Sequence, residues 1–571
     1  MKFFLEEENP KLVAMKNALI PAIACCLLIF SCTTNRNEFG AEISTDTEQI
    51  AKGKKLFEQN CATCHNFLQT GIGPNLSGVT RSVDTEWLRE FIDHPAQLIE
   101  AGDQRAVALF EDFKSYMPAF SQLEDEDVDA ILSYLHTYET LPDTAAVTGL
   151  ADPIADTIPD SGIRLDLEFV MQMPASDTVP PLAKITKLES DPVSGRTFLN
   201  DQRGVLYELK GDKYHEYLPI RQLMPNILFK PGLATGLGSY AFHPEFAENG
   251  IFYTGHSEKG NQVPADYTYP DSVKVFLQWV LTEWKAKDPK AEKFEGTSRE
   301  MLRINFVTQI HGMQEVTFNP TVKKGDPDYG MLYIGIGDGG SAESGFAYIC
   351  DHQGRDVWSS ILRIDPAGNN SKNGKYGIPA DNPFVGQQDK AQEVFAYGFR
   401  NPNRILWDLQ GRLLASEIGH KNVEELNLIE PGKFYGWPVR EGTFVINPYG
   451  DMDQLFTLPA DDAKLGASYP LLQIDHDEIA AIIAGYVIQK GPHKGKLLFG
   501  DVPSGRLLIS DLNPGKEVIA ESWGVRFNGK EMSLIELCGN KRVDLKFGQD
   551  KSGQLYLMTK ADGKVYKIKD T

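Results

Sequence analysis

Glu315-Val316-Thr317-Phe318-Asn319-Pro320, a polar turn, and then Met331-Leu332-Tyr333-Ile334 form the stretch that decides how the larger part of this chain is read. An apolar strand, a turn containing glycine and a second apolar strand make a hairpin, and the same unit recurs on both sides. It stands at Ile185-Thr186-Lys187-Leu188 to Thr197-Phe198-Leu199 and at Tyr240-Ala241-Phe242-His243-Pro244 to Ile251-Phe252-Tyr253. It returns at Arg404-Ile405-Leu406-Trp407-Asp408 to Leu413-Leu414-Ala415. Weaker copies are Tyr486-Val487-Ile488 to Leu497-Leu498-Phe499 and Val543-Asp544-Leu545-Lys546-Phe547 to Leu555-Tyr556-Leu557. Six units leave roughly 65 residues each, enough for four short strands and their loops, so residues 182–571 are expected to form an all-β, six-bladed β-propeller. Two stacked sandwiches would give similar local patterns, but the even spacing favours the propeller.

Working outward toward the amino terminus, residues 141–181 are rich in Asp, Thr, Pro and Ala and read as an exposed linker, with one short strand at Arg164 to Met171. Before it lies Cys61-Ala62-Thr63-Cys64-His65, the C-x-x-C-H attachment pattern of c-type haem. Two thiols one helical turn apart can form thioethers with both vinyl groups, and the adjoining His65 then meets the iron. Val128, Ile131, Leu132 and Leu135 recur at i, i+3, i+4, i+7 behind a capping box of Ser121 and Glu124, the mark of a closing amphipathic helix. Met117, in Met117-Pro118-Ala119-Phe120, is the candidate sixth iron ligand, with His94 or His136 as the bis-His alternative. Residues 45–140 therefore resemble a class I cytochrome c: an all-α domain carrying haem c whose task is one-electron transfer.

At the start, Lys16 and about thirteen mainly apolar residues from Ala18 to Phe30 suit a secretory signal and are too short to span a bilayer. Ile29-Phe30-Ser31-Cys32 resembles a bacterial lipobox, so residues 1–32 are expected to be a signal peptide with Cys32 as the lipidated first residue of the mature protein. Export to the bacterial cell envelope, with a lipid anchor in the membrane, follows. The 571 residues carry 57 Lys and Arg against 79 Asp and Glu, a net charge of −22, which argues against nucleic acid as a partner. Seven cysteines are too few for a disulfide scaffold, and Cys350 and Cys538 receive no role.

Function on a propeller sits on loops around the central channel. His311 precedes the third unit, Asp338-Gly339-Gly340 follows its strand, Arg400-Asn401-Pro402 opens the fourth, and Ser416-Glu417-Ile418-Gly419-His420 closes it. Each motif alone is weak; their joint order is specific. Together with Val394 to Pro402, Glu424 to Ile429, Tyr435-Gly436-Trp437-Pro438, Leu332 to Gly340, Ile361 to Asp365 and Gly500 to Arg506, the segment from Leu182 to Ile568 resembles the soluble quinoprotein glucose/sorbosone dehydrogenase family.

That resemblance implies pyrroloquinoline quinone (PQQ) with Ca²⁺ and oxidation of an aldose at C1. By position His311 would be the general base, a task suited to an imidazole. Arg400 and Asn401 would bind the quinone, whose carboxylates need a guanidinium fork. Lys490, with Lys541 or Arg542, would neutralise the remaining carboxylates, and the backbone carbonyls of Gly419 and His420 would hold Ca²⁺. The chain departs from the family at Ile310, where the sugar oxidisers usually carry an acid, at Ala234 in place of a Gln, and at His420 in place of a Pro. The segment from Asn261 to Thr297, bearing Trp279 and Trp284, is expected to add an outer strand and a rim loop. The fusion reads as a quinohaemoprotein dehydrogenase of a sugar or related alcohol, passing electrons from quinone to haem and onward to a respiratory acceptor. The alternatives are a glycan-binding or redox-sensing propeller without turnover and a Ca²⁺-dependent propeller lactonase.

Overall fold

In a computed structural model of the chain, residues 39–62, 64, 65, 67, 73–113, 116–139, 149–230, 234–270, 272–512 and 517–569 are described. The expected signal peptide and Cys32 lie outside them. Among the described residues no helix is long and apolar enough to cross a membrane.

The amino-terminal region is helical. Helix α1 (Thr47–Asn60) starts at Asp46, whose carboxylate accepts the N–H groups of Glu48 and Gln49 and so satisfies two donors that a helix end leaves open. Helix α2 (Asp125–Leu135) buries Val128, Ile131, Leu132 and Leu135, the stripe expected from the spacing. Its cap differs from the expectation. The chain turns at Phe120, with the Leu123 N–H on the Phe120 carbonyl at 2.9 Å, so Ser121 stays outside the helix and Glu124 becomes the N-cap without a side-chain bond. Asp125, Glu126 and Asp127 in the first turn meet the positive end of the helix dipole instead. The two helices touch at Gly53, where a Cβ would lie 1.7 Å from the Ala130 carbonyl oxygen, so only glycine allows this crossing. Shorter helices (Val79–Ser82, Thr85–Asp93, Pro95–Ala101 and Gln104–Phe113) wall in the space beside them.

After this region the structure is mainly β, most of it arranged in four-stranded antiparallel sets, with a few short helices between them. Their first strands are β2 (Ile185–Ser190), β3 (Leu237–Phe242), β4 (Met313–Phe318), β5 (Pro402–Trp407), β6 (Ile482–Val487) and β7 (Leu545–Gln549), following β1 (Asp160–Gln172). The sets begun by β3, β4 and β5 are separate sheets, whereas those begun by β6, β7 and β2 join in one thirteen-stranded sheet. β1 makes that join. It runs antiparallel to Lys564–Ile568, completing the β7 set as its fourth strand, and parallel to Glu521–Phe527 of the β6 set. The expected exposed linker is therefore largely built in. Ahead of β1, Leu150 N–H bonds the Leu455 carbonyl at 2.8 Å and Ile154 N–H bonds Asp475 Oδ2 at 3.1 Å, which pins the segment along the β5 set. The strand expected at Arg164 to Met171 is present as part of β1, but its partners lie at the far end of the chain, so no local pattern marked its full extent or its pairing.

Apolar layers fill the space between consecutive sets. Phe198, Leu206 and Phe252 lie between the first two, and Leu188, Leu199 and Met558 lie between the last and the first. Trp279 and Trp284 belong to this core rather than to a rim: their strand, Leu277–Ala286, is the third of its set, covered by Gly296–Phe306, and both indoles are buried. The first strands meet around a polar centre. Lys187 of β2 bonds Glu315 of β4 at 2.6 Å, Arg404 of β5 bonds the same carboxylate at 3.1 Å, and Tyr486 of β6 donates to Glu189 of β2 at 2.9 Å.

Candidate functional site

The helical region holds a cavity with about 1290 Å³ of empty space including its open mouth. Cys61, Cys64, His65 and Met117 all line it, among Leu88, Ile131 and other apolar side chains. The His65 Nδ1–H donates to the Pro74 carbonyl at 2.9 Å, which leaves Nε2 as the ligating nitrogen, the usual support of a metal-bound imidazole. Gly73 is required here: a Cβ would come within 2.4 Å of the His65 ring. Burial pushes both thiols up to about 12. Two unpaired thiols, an oriented imidazole and a thioether around one apolar cavity fit a covalently attached haem c with His65 and Met117 as its axial ligands. His94 is bonded to Asp93 at 3.3 Å and His136 to Thr80 at 3.0 Å, and neither lines the cavity.

The second cluster lies at the β-domain end where β4 and β5 begin. His311 has φ of +50°, a left-handed conformation that is costly for a residue with a Cβ. Neighbours hold it there: a Cβ on Gly337 would meet the His311 carbonyl oxygen at 2.3 Å, and one on Gly312 would strike the Trp279 indole at 1.9 Å. The His311 Nδ1–H donates to Asp338 Oδ1 at 2.7 Å, and Trp437 Nε1–H donates to Asp338 Oδ2 at 3.1 Å. The imidazole is thus fixed with Nε2 as its basic atom.

Arg400 is buried beside it, with its guanidinium 5.7 Å from the Trp437 ring centroid. Its Nε donates to Glu343 Oε1 at 2.8 Å, Nη2 to the same oxygen, and Nη1 to the Gly419 carbonyl. His420 joins the pair through Nδ1 to Glu343 at 3.0 Å and Nε2 to Asp453 at 3.3 Å. Burial opposes the Glu343 charge, but Arg400 and then His420 outweigh it and hold this carboxyl well below the usual carboxylate range. For His420 burial favours the neutral ring, and the bonds to Asp453 and Glu343 prevail, raising it to about 9. Beneath the loop, Glu441 accepts the N–H groups of His420, Asn422 and Val423 at 2.7, 3.1 and 3.0 Å.

His311, Arg400, Asn401, Gly419 and His420 thus come together as the sequence suggests, with three corrections. Lys490 lies at the opposite end of the β6 hairpin, exposed, on the Ser552 carbonyl at 3.2 Å. Lys541 belongs to the contact between the two regions: its ammonium donates to the Ile99 carbonyl at 3.2 Å and lies 6.0 Å from the Phe110 ring centroid. Arg542 is engaged by Asp544 at 2.5 Å. A calcium ion does not fit the arrangement either, because the Gly419 carbonyl accepts from the Arg400 guanidinium, a cation where a dication would stand. For the quinone the residues do fit once it takes the place of Glu343: the Glu343 contact shows that the Arg400 guanidinium can hold a carboxylate there, and the neighbouring Asn401 Oδ1, buried with no hydrogen-bond partner, is open to an N–H donor of the ligand. Cys350 and Cys538 are unpaired.

Glu343 and Asp453 escaped sequence reasoning; the one available signal was an acid three residues after Gly340 in a glycine-rich loop. The two clusters also adjoin. Gln309, two residues before His311, lines the haem-type cavity, and the Glu343 charge adds to burial in raising Cys64. Lys421 lies 5.4 Å from the Phe113 ring centroid at the same contact.

Residues 192–567 match the family model described as Glucose / Sorbosone dehydrogenase, and residues 50–139 match the one described as Cytochrome c. Among curated relatives, HIPL1 protein of Arabidopsis thaliana is 25% identical over 373 residues, 57% of this chain and 52% of that one. Aldose sugar dehydrogenase YliI of Escherichia coli is 26% identical over 380 residues, 65% of this chain and 88% of that one. The chain spans about half or less of the length of the first curated relatives it matches. The crystal structure of the soluble aldose sugar dehydrogenase from Escherichia coli, in the apo-form, shares the fold at 17% identity and a TM-score of 0.50, over 71% of this chain and 100% of that one. With the family model covering nearly all of the β-domain, the chain belongs to the glucose/sorbosone dehydrogenase family and carries a cytochrome c region ahead of the family domain.

Proposed function

We propose that the chain is a quinohaemoprotein dehydrogenase, oxidising an aldose or related alcohol at PQQ in the mouth of a six-bladed propeller and passing the electrons to haem c. The observation that carries this reading is the contact of the two clusters: Gln309 lines the cavity of Cys61, Cys64, His65 and Met117 two residues from His311, and Glu343 acts electrostatically on both Cys64 and, through mutual attraction, His311. Bound beside Arg400 and Asn401, a quinone supplies a two-electron acceptor, and the haem supplies a one-electron carrier. The apolar layers between all consecutive strand sets, first and last included, support the closed ring.

In this mechanism His311 Nε2 takes the proton of the substrate hydroxyl. Asp338 keeps the ring in the tautomer that can do so and stabilises the imidazolium that forms. Arg400 and Asn401 would hold the cofactor's polar edge, and Trp437 and Trp279 fix the loops that carry Asp338 and His311. The contact through Lys541 and Lys421 keeps the cytochrome region over the mouth and excludes water from it. Export, a lipid on Cys32 and a downstream respiratory acceptor complete the proposal.

Adding PQQ to the haem-loaded protein with an aldose should reduce the haem, and His311→Ala should abolish that reduction while leaving the quinone bound. A haem spectrum that stays oxidised across an aldose panel refutes the reading; acid release from a lactone under the same conditions would point to a hydrolase.

A further inference from the structure

Below the mouth, a second cavity of about 500 Å³ of empty space lies in the channel, lined by Lys187, Gln202, Glu315, Arg404, Lys546 and Lys560 among others. Its charges do not balance. Lys187 and Arg404 are matched by two carboxylates: Glu315, at 2.6 and 3.1 Å, and Glu189, at 3.2 and 3.4 Å. The Lys546 and Lys560 ammonium groups have neither a hydrogen bond nor an ion pair among the described residues, in a chain whose net charge is −22. The Arg404 Nε–H is also buried without a partner. Other charges nearby offset this excess only in part. Asp544 is held by Arg542 at 2.5 Å, Asp201 Oδ1 accepts the Arg203 N–H at 2.8 Å while its Oδ2 is buried without a partner, and the Arg203 guanidinium lies 3.4 Å from Asp177; Asp544 and Asp201 attract Lys560 from a distance, and also Lys184, a further cation whose ammonium has no hydrogen bond or ion pair among the described residues.

We propose that Lys546 and Lys560 form an anion-binding floor in the channel whose ligand is a carboxylate or a group of the same charge. Two lone ammonium groups facing a polar cavity are costly unless an anion joins them. Burial, with Lys560 and Arg404 close by, pushes the Lys546 ammonium down to about 7, and burial also lowers Lys560, as expected of cations waiting for a counter-charge. If the function proposed above holds, the anion is a carboxylate of the quinone, and these lysines take the part that sequence position assigned to Lys490, Lys541 and Arg542. The other source is a free small anion.

Calorimetric titration of the haem-loaded, quinone-free protein at pH 8 with PQQ and, separately, with inorganic phosphate tests this. Wild type, Lys546→Met, Lys560→Met and Lys546→Arg are compared. Binding should weaken about tenfold or more in each Met variant, the scale of one lost charge-assisted hydrogen bond, and should recover in the Arg variant. It should take up protons, seen as a heat that depends on the buffer. The Met variants should melt no lower than wild type without ligand, since they replace a buried polar group that has no partner with an apolar one, and their haem spectra should be unchanged. Loss confined to PQQ assigns the floor to the quinone. Loss confined to phosphate, with no PQQ binding in the wild type, keeps the anion site and refutes the quinone reading. Wild-type affinity of the Met variants for both probes, or their early melting with no Arg rescue, overturns the anion site even where PQQ binds.

Discussion

Replacing Glu343 with Gln perturbs the centre of the mouth without changing its shape. The carboxylate receives Arg400 Nε at 2.8 Å and His420 Nδ1 at 3.0 Å, and all three side chains are buried, so the substitution leaves a guanidinium facing an amide. Removing one partner of such a buried pair costs about 3–5 kcal/mol. Unfolding entropy of about 2.1 cal/mol/K per residue over the roughly 400 residues of the β-domain gives about 0.8 kcal/mol/K, so melting should fall by about 4–6 °C. With PQQ present the loss should shrink, because a ligand carboxylate can displace an amide from the guanidinium more readily than it can displace a carboxylate, and the quinone affinity of the variant should exceed that of wild type. Differential scanning calorimetry with and without quinone, together with a fluorescence titration, measures both. An unchanged melting temperature would show that the pair contributes nothing; a drop in quinone affinity would show that Glu343 supports the cofactor rather than competing with it.

Met117→Ala should remove the thioether-to-iron band and lower the haem potential while attachment through Cys61 and Cys64 persists, as redox titration and the pyridine haemochrome will show. Gly73→Ala should displace the His65 ring, 2.4 Å from the new Cβ, and give a high-spin or ligand-exchanging haem by absorption spectroscopy. His420, raised to about 9 in the fold from about 6.5 unfolded, contributes stability that is complete below pH 6.5 and lost as pH rises through 9, about 3 kcal/mol in all. The lysines lowered to about 7, Lys184 and Lys546, run the other way, gaining stability between pH 7 and 10.5. The informative quantity is therefore the difference in unfolding free energy between wild type and His420→Asn, which should shrink across pH 6.5 to 9.

The haem pentad was legible without any structure because its chemistry requires two thiols and an imidazole within five consecutive residues, so spacing alone carries the meaning. The recurring hairpins announced the β-domain for a similar reason: each is a local object with its turn inside it. His311 and Arg400 were visible because both stand just before the first strand of a set, where all loops of one end converge. The strand at Arg164 to Met171 was legible as well, but its place in the sheets was not, since the partners of β1, Lys564–Ile568 and Glu521–Phe527, come at the far end of the chain and a strand's edge bonds leave no mark in its own residues. Lys490, Lys541 and Arg542 have the right charge for a cofactor site, yet charge says nothing about which end of a hairpin, or which neighbour, a side chain reaches. Glu343 meeting Arg400 and His420, the lone ammonium groups of Lys546 and Lys560, and the cytochrome cavity opening beside His311 all depend on distances between residues far apart in sequence. Composition and motif determined which chemical groups this protein owns; only the packing of the strand sets against one another, with the helical region against the end where β4 and β5 begin, decided which of those groups meet.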